Sequence, residues 1–364
     1  MRIRAIDWAR GLVMILMTVD HSGTIFDAAH LHGDNYRQWT TGSPLPAGEF
    51  LTRWITHLCA PMFLLLAGVS LALSTAKRAN EPGQTAFIVK RGLLIASLDP
   101  IWMGLGFSGY QRLPFQVLFA IGMSMVCMAF LRTLSTRTLL LTSVAIMVGG
   151  ELTSHWLPSI EPLTALWRLT FFGGPIGWRF GCAYPFVPWL AIMMFGFVLG
   201  RWLLRARPRA QTVRMLATIG CGFLVVFMVV RGADDYGNWH LYRDSVDILQ
   251  WLHVNKYPPS LSFMALELGI AFVLLAGFMA IDDPERPRRG LTVLGVFGST
   301  AFFYYLLHVH LMQLANLVLR LDPATDGLAK TWIVAALCLA ALAAPCWWYL
   351  RYKAAHRDSW TRYI

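Results

Sequence analysis

The sequence predicts an all-α, polytopic integral membrane protein, a helix bundle that crosses the bilayer about ten times. Apolar residues make up 56% of the 364 residues and charged residues only 14%, whereas soluble domains hold about 45–50% and about 25%. The mean hydropathy is +0.52. The apolar residues also come in runs of about 20, the length that a helix needs to cross a ~30 Å hydrocarbon core. This composition excludes a disordered chain, a disulfide-stapled secreted domain and an ordinary cytosolic enzyme.

Each apolar run has the length of a membrane-spanning helix, and the sequence lacks the short alternating segments of a β-barrel. The first run holds Asp20 and His21 and is followed by no cleavage site, so it is not a removed signal peptide. We treat residues 1–364 as a single transmembrane domain. The predicted spans are 7–28, 51–75, 90–108, 114–131, 138–157, 185–204, 212–231, 259–281, 292–319 and 331–350.

The positive charges predict the orientation, because Lys and Arg accumulate on the cytoplasmic side of membrane proteins. With the N-terminus inside, and with residues near the end of a span counted with the adjoining segment, the inner side carries 21 of the 31 Lys and Arg residues. Both termini are therefore predicted to be cytoplasmic, in the bacterial inner membrane. The long loops 29–50, 158–184 and 232–258 then lie outside, where a substrate would be reached. The net charge of +11 is explained by this bias, so no nucleic-acid partner is expected.

Six scattered cysteines without a CxxC pair indicate neither a metal cluster nor a disulfide framework. Ionisable residues inside spans are costly, and each is a functional candidate by default. In the predicted topology, four spans place acids and histidines at a similar depth near the outer side, which predicts one polar cavity that opens outward. The ionisable residues of the spans include Asp20, His21, His57, Asp99, Glu151, Glu267, His308 and His310.

Helical phase refines this set. Asp7, Arg10 and His21 lie on one face of span 1, as do Arg53 and His57 on span 2 and Tyr304 and His308 on span 9. His308 and His310 are about 200° apart around a helix, so a shared zinc site is not expected. For two residues a purely structural role stays open. Asp99 precedes Pro100 and could satisfy a backbone group freed at a kink, and the Glu151 side chain could extend to the membrane surface.

A neutral His beside a carboxylate is a general base, which can take a proton from a sugar hydroxyl or amine that attacks an acyl group. The same groups could serve a proton-coupled transporter. From the residues alone, both an enzyme and a transporter or flippase for an envelope precursor remain open, as does an assembly partner of a larger membrane complex. The absence of an obvious internal repeat counts against a transporter.

Five strings, in order along about a quarter of the chain, resemble the transmembrane acyltransferases related to heparan-α-glucosaminide N-acetyltransferase, which include bacterial members of the DUF1624 type. They are RAIDWARGLVMILMTVDH (4–21), RWITHLCAPMFLLLAGVS (53–70), YPFVPWLAIMMFGFVLGR (184–201), KYPPSLSFMALELG (256–269) and FGSTAFFYYLLHVHL (297–311). The positions that match are Asp7, Arg10, His57, Pro61, Pro185, Trp189, Lys256, Pro258, Pro259 and Ser260.

The resemblance implies an enzyme that takes an acetyl group from cytosolic acetyl-CoA and delivers it to a sugar across the membrane. It also implies dependence on a His in the first outer loop or nearby. This sequence departs from the pattern at that point. The heparan-type enzymes usually carry an acid where His57 falls and their essential His several residues earlier, and no His lies between His32 and His57.

We therefore expect an acyl-CoA-dependent acyltransferase with a glycan or other envelope acceptor, membrane lipids as surroundings and no metal; homo-oligomerisation stays open. His57 is the predicted base, with Asp20 and His21 orienting it or relaying protons. Arg53 and Lys256 are predicted to hold acceptor or donor charge, and Glu267, Tyr304 and His308 to complete the cavity. Asp7, Arg10 and Asp99 are predicted to support the site.

Overall fold

The computed structural model describes residues 3–27, 33–79, 81–109, 111–153, 163–205, 207–283, 291–319 and 327–356. Within these ranges the chain is a bundle of helices with one small sheet. The helices are α1 (Arg4–Phe26), α2 (Ala47–Thr56), α3 (Cys59–Lys77), α4 (Gln84–Leu98), α5 (Gly104–Ser108), α6 (Val117–Leu131), α7 (Thr136–Gly149), α8 (Thr164–Trp167), α9 (Phe186–Leu203), α10 (Arg209–Ala233), α11 (Ile248–Leu252), α12 (Leu261–Ile281), α13 (Thr292–Ser299), α14 (Ala301–Leu319) and α15 (Leu328–Ala355).

These helices overlap all ten predicted apolar runs, which confirms the all-α membrane bundle. In the described part of the chain, six helical segments are long and apolar enough to cross a membrane: α2 with α3, α9, α10, α12, α14 and α15. α6 and α7 are apolar but shorter. The predicted number of ten spans and the cytoplasmic position of both termini therefore stay predictions.

Two prolines account for breaks inside predicted spans. Proline has no N–H, and its ring clashes with the carbonyl four residues earlier. For Pro61 that carbonyl belongs to His57, and the helix of span 2 is interrupted there, between α2 and α3. In span 3, a π-helical turn covers Asp99–Met103, directly at Pro100. The break at Pro61 leaves His57 at the junction of α2 and α3. His57 therefore lies outside the continuous hydrogen-bond pattern of a helix.

Close helix crossings at glycine hold the bundle together. A Cβ at Gly196 of α9 would lie 2.1 Å from the carbonyl oxygen of Leu65, and one at Gly68 of α3 would lie 2.1 Å from that of Met193. Small residues of this kind let the backbones of membrane helices approach closely. The α3–α9 pair is therefore a fixed wall of the bundle, next to the central helix α1.

The small sheet joins two connections of the bundle. β1 (Leu113–Phe115) pairs in parallel with β3 (Phe180–Cys182), which pairs antiparallel with β2 (Gly174–Ile176). Leu113 lies opposite Phe180 in the register. These nine residues are the described strands of an otherwise helical chain.

Two of the predicted outer loops pack against each other at one end of the bundle. We call this end, formed by residues 33–46 and 234–260, the loop face. Three hydrogen bonds join the two loops: Lys256 N to Asp34 O at 2.8 Å, Tyr36 N to Asn255 Oδ1 at 2.6 Å, and the His253 ring to Gly33 O at 2.8 Å. The loops therefore form one ordered cover over the helix ends beneath them.

Arg231, at the end of α10, orders the longer loop from within. Its side chain is fully buried. The guanidinium donates to the carbonyl oxygens of Leu241, Gln250 and His253 at 2.7, 2.6 and 2.7 Å. Five fixed N–H donors make Arg suited to gathering several carbonyls at once. This staple holds the segment that carries Lys256 and Tyr257 in place.

Candidate functional site

A histidine–aspartate pair lies under the loop face. His57 Nε2 is 3.2 Å from Asp34 Oδ2, and both side chains are buried. An ionised carboxylate only accepts hydrogen bonds, so Nε2 carries the proton and donates it. His57 Nδ1 is buried and has no hydrogen-bond partner among the described residues. Neutral His57 therefore keeps a lone pair on Nδ1, which is the arrangement of a general base oriented by an acid.

Arg53 links this pair to α1. Its Nε and Nη2 donate to Asp34 Oδ2 at 3.1 and 2.6 Å, and its Nη1 forms an ion pair with Asp20. Thr56 donates to the same Asp20 oxygen at 2.7 Å. Arg53 is only 8% exposed, and a buried charge is tolerated when it is paired and hydrogen-bonded. The guanidinium thus fixes the two carboxylates at one place beside His57.

Asp34 lies in the loop between α1 and α2, and its ionisation is set by these neighbours. Burial by itself raises the pKa of a carboxyl group, but the Arg53 charge and the hydrogen bond from His57 outweigh it and hold the pKa of Asp34 well below 3.8. Asp34 is therefore a carboxylate over the whole physiological pH range. It remains available to orient the His57 ring.

Lys256 and Glu267 add two further buried ionisable groups. Lys256 is 2% exposed, and its ammonium makes no hydrogen bond that the described residues show. Its charge acts on His21, Asp34, His57 and Glu267. Glu267 Oε1 is also buried without a partner in the described part of the chain. Unsatisfied buried polar atoms are rare in proteins, and among the described residues His57 Nδ1 and Glu267 Oε1 are two of them.

His21 belongs to a different pair. His308 Nδ1 lies 2.7 Å from the Tyr305 carbonyl oxygen, and His308 Nε2 lies 2.6 Å from His21 Nδ1. A carbonyl only accepts, so neutral His308 donates through Nδ1 and accepts through Nε2. His21 then donates through Nδ1 and keeps its lone pair on Nε2. His21 is thus oriented by a histidine rather than by an acid.

A cavity of about 350 Å³ lies on the side of the buried polar groups that faces away from the loop face. It is enclosed by α1, α3, α4, α6, α13, α14 and α15. Arg10, Arg91 and Lys353 line it at the end away from the loop face. Phe63 and Val117 line it further towards the loop face, with Tyr305. None of His57, Asp34 and Arg53 is a lining residue. Phe63 lies near the start of α3, six residues after His57, so this end of the cavity is on the side of the bundle that holds the buried polar groups.

The model of the family described as heparan-alpha-glucosaminide N-acetyltransferase, catalytic, matches residues 2–231, well over half of the chain. The chain belongs to this family. No curated protein matches the chain significantly. The matched region of the heparan-alpha-glucosaminide N-acetyltransferase family contains Asp20, Asp34, Arg53 and His57, while Lys256, Glu267 and His308 lie beyond it. The family is one of transmembrane acetyltransferases.

With the family known, the predicted site residues fall into groups. The structure brings His57, Asp20, Arg53 and Lys256 together around Asp34, with Glu267 near. It places His21 with His308. Tyr304 shares a hydrogen bond of 2.5 Å with Thr18 of α1, and so contacts α1 rather than His57.

The three predicted supporting residues lie elsewhere. Arg10 pairs with Asp7 at 3.5 Å and lines the basic end of the cavity. Asp99 Oδ2 accepts the backbone N–H groups of Gln116 and Phe119 at 2.8 and 2.6 Å. This carboxylate therefore satisfies free N–H groups at the start of α6, a capping role that also benefits from the helix dipole. No group of three metal-ligating side chains occurs in the described ranges.

Asp34 is the residue that sequence reasoning missed. It lies in a loop, so no helical periodicity relates it to His57 or Arg53. Tyr257 and Tyr184 were also missed: their hydroxyls lie 3.2 Å apart, and Tyr257 accepts from Arg53 at 3.4 Å. Burial and the neighbouring Tyr257 raise the pKa of Tyr184 well above 10. The one available signal was position, since Tyr184 and Tyr257 both fall in strings that resemble the family.

Proposed function

We propose that this protein transfers an acetyl group from acetyl-CoA to the amine or hydroxyl of a glycan or similar envelope molecule, across a bacterial inner membrane. One observation carries the proposal. A cavity with a basic end leads from the face opposite the loops towards a buried His57–Asp34 pair under the loop face. A donor and an acceptor could thus approach the same point from the two sides of the membrane.

The donor side is suited to a phosphorylated thioester. Arg10, Arg91 and Lys353 provide positive charge at one end of the cavity, and cations of this kind bind phosphate groups by charge-assisted hydrogen bonds. In the orientation that the positive-inside rule predicts, this end faces the cytoplasm, where acetyl-CoA is found. Phe63, Val117 and Tyr305 line the remainder, which suits the narrow, less polar arm that carries the thioester.

On the acceptor side, His57 acts as the base. Its Nδ1 takes the proton of the attacking amine or hydroxyl while the new C–N or C–O bond forms. The C–S bond then breaks, and the imidazolium returns the proton to the leaving thiolate. Asp34 holds the ring in the required tautomer and stabilises the imidazolium, the role that an acid has in other His-dependent acyl transfers.

The remaining polar residues support this arrangement in our proposal. Arg53 fixes Asp34, and Asp20 fixes Arg53 from α1. Glu267 Oε1, buried without a partner among the described residues, and the ammonium of Lys256 can bind the hydroxyl and amine groups of an acceptor. The His21–His308 pair offers a second site for a proton at the same depth, and the Tyr304–Thr18 hydrogen bond holds α14 against α1.

The test compares purified His57→Gln with wild type in detergent, with glucosamine as the acceptor probe. Acetyl-CoA loss and N-acetylglucosamine formation are followed by mass spectrometry, and donor binding by calorimetry. We expect turnover to fall by about 10²–10⁴-fold, the usual contribution of a general base, with donor affinity unchanged. His310→Gln is the matched control. It makes the same change on α14, where the ring packs on Trp102, and should keep its activity.

Two outcomes would contradict the assignment. Full activity in His57→Gln together with loss in His21→Gln would move the base to the His21–His308 pair. Loss only in a His30→Ala/His32→Ala double variant would move it to the first loop, where these two residues lie outside the described ranges. A wild type that binds no acetyl-CoA and cleaves no thioester would leave a transporter as the better interpretation.

A further inference from the structure

Tyr305 lines the cavity. Tyr304, the preceding residue, shares a hydrogen bond with Thr18 of α1, and Thr18 is eight residues beyond Arg10, about 12 Å along the helix. Tyr305 lines the same cavity as Arg10. The cavity therefore runs from its basic end to Tyr305 over about two turns of α1.

The hydroxyl of Tyr305 is unsatisfied. The side chain is 4% exposed, and its oxygen has no hydrogen-bond partner in the part of the chain that the structure describes. A buried hydroxyl normally finds a partner, because leaving it unpaired costs free energy. Because Tyr305 lines the cavity, a group that enters the cavity lies beside a residue whose hydroxyl has no partner in the described part of the chain.

Tyr305 is also held firmly and lies next to the buried polar groups. Its backbone carbonyl accepts from His308 Nδ1 at 2.7 Å, and its ring meets the His308 ring edge to face at 5.5 Å. The His308 ring in turn bonds to His21 Nδ1 through Nε2 at 2.6 Å. Tyr305 thus lies between the cavity and the buried His21–His308 pair.

We propose that the Tyr305 hydroxyl donates a hydrogen bond to the carbonyl oxygen of the donor thioester. This inference rests on the proposed acyl transfer. When the acceptor attacks, the carbonyl carbon becomes tetrahedral and its oxygen becomes negative. The attacking group gives its proton to His57, the C–S bond breaks, and the thiolate recovers that proton. Tyr305 keeps its own proton throughout, and its hydrogen bond strengthens as the oxygen gains charge.

The alternative is a structural role, in which the Tyr305 hydroxyl has a partner within the protein. Asp99 Oδ1 is also buried without a partner among the described residues, and its turn packs on α14, where Trp102 Nε1 donates to the Leu306 carbonyl oxygen at 2.7 Å. A water between the two would satisfy both atoms and leave Tyr305 a purely structural residue. In that case the loss of the hydroxyl would lower stability but would leave the discrimination between acylated and free CoA unchanged.

The experiment compares Tyr305→Phe with wild type and with the control Tyr236→Phe. The control removes a hydroxyl that donates to the Val148 carbonyl oxygen and bonds to none of the site residues. We expect kcat for transfer to glucosamine to fall about 10²–10³-fold in Tyr305→Phe, the effect of removing one such donor, while KM for acetyl-CoA changes less than about threefold. Tyr236→Phe should keep kcat. Thermal unfolding checks that both variants are folded.

Equilibrium binding gives a readout without turnover. Wild type should prefer the amide isostere of acetyl-CoA, which keeps the carbonyl, over free CoA, and Tyr305→Phe should lose about two- to tenfold of this preference. Unchanged kcat and unchanged preference in Tyr305→Phe, with an active wild type, would overturn the role of Tyr305 alone. If wild type neither binds these ligands nor cleaves acetyl-CoA, the proposed function fails and this inference fails with it.

Discussion

Replacement of Asp34 by Asn tests the buried ion network most severely. Asp34 Oδ2 receives two hydrogen bonds from Arg53 and one from His57. The amide keeps the shape but loses the charge, so three charge-assisted bonds become neutral ones. Each such change costs about 1 kcal/mol, and the three together cost about 3 kcal/mol, close to the lower limit for breaking a buried ion pair. Arg53 keeps Asp20, which explains why the loss is not larger.

The assay has two parts. Thermal unfolding in detergent should show a stability loss of about 3 kcal/mol for Asp34→Asn, and transfer to glucosamine should fall about 10²–10⁴-fold because His57 loses its orienting acid. Asp244→Asn is the control, since Asp244 accepts a backbone N–H from Gly42 in the same pair of loops, at an exposed position. Asp34→Asn with wild-type stability and turnover within about twofold of wild type would refute the network as described.

Three further predictions concern packing, charge and pH. Gly196→Ala should destabilise the fold by at least about 1–3 kcal/mol, since the Cβ would overlap the α3 backbone, while Gly277→Ala, with open space around it, should not; chemical unfolding compares them. Arg91→Ala should weaken acetyl-CoA binding in calorimetry, more strongly at low salt, and exposed Arg137→Ala should not; equal effects would argue against the cavity. The pKa of Asp34 is lowered on folding, so the stabilisation of the fold by this carboxylate is complete above about pH 4 and lost as the pH falls through the lowered value. The difference in Tm between wild type and Asp34→Asn should therefore stay constant from pH 8 to 5 and shrink in stronger acid.

Much of the fold could be predicted because apolar length is a local property. Each of the ten runs overlaps a helix, and a kink at Pro100 was one interpretation of the sequence. The breaks at His57–Leu58 and at Thr300 were not predicted. The number of membrane crossings could not be fixed in this way, since α6 and α7 are short and only six segments in the described ranges meet the criteria of length and hydropathy. How deeply α6 and α7 enter the membrane depends on their packing against neighbouring helices.

The candidate site was only partly predictable for a different reason. Depth and helical phase grouped Asp20, Arg53 and His57, which the structure brings together around Asp34, because each lies on a helix or directly at its end. They could not supply Asp34 or Tyr257, since the position of a loop residue depends on how the loops pack. They also suggested that His21 acts with His57, whereas the side chain of His21 turns to His308. Helical phase fixes the face of a residue but not the partner across that face.

The central claim is that a donor enters at the basic end of the cavity and reacts with an acceptor at the loop face, through His57. Proteoliposomes with glucosamine trapped inside and acetyl-CoA added outside test it directly, because acetyl-CoA does not cross the bilayer. The account predicts N-acetylglucosamine inside the vesicles with wild type and none above background with His57→Gln. Product that forms only when both substrates are on the same side, or equally with both proteins, would contradict it.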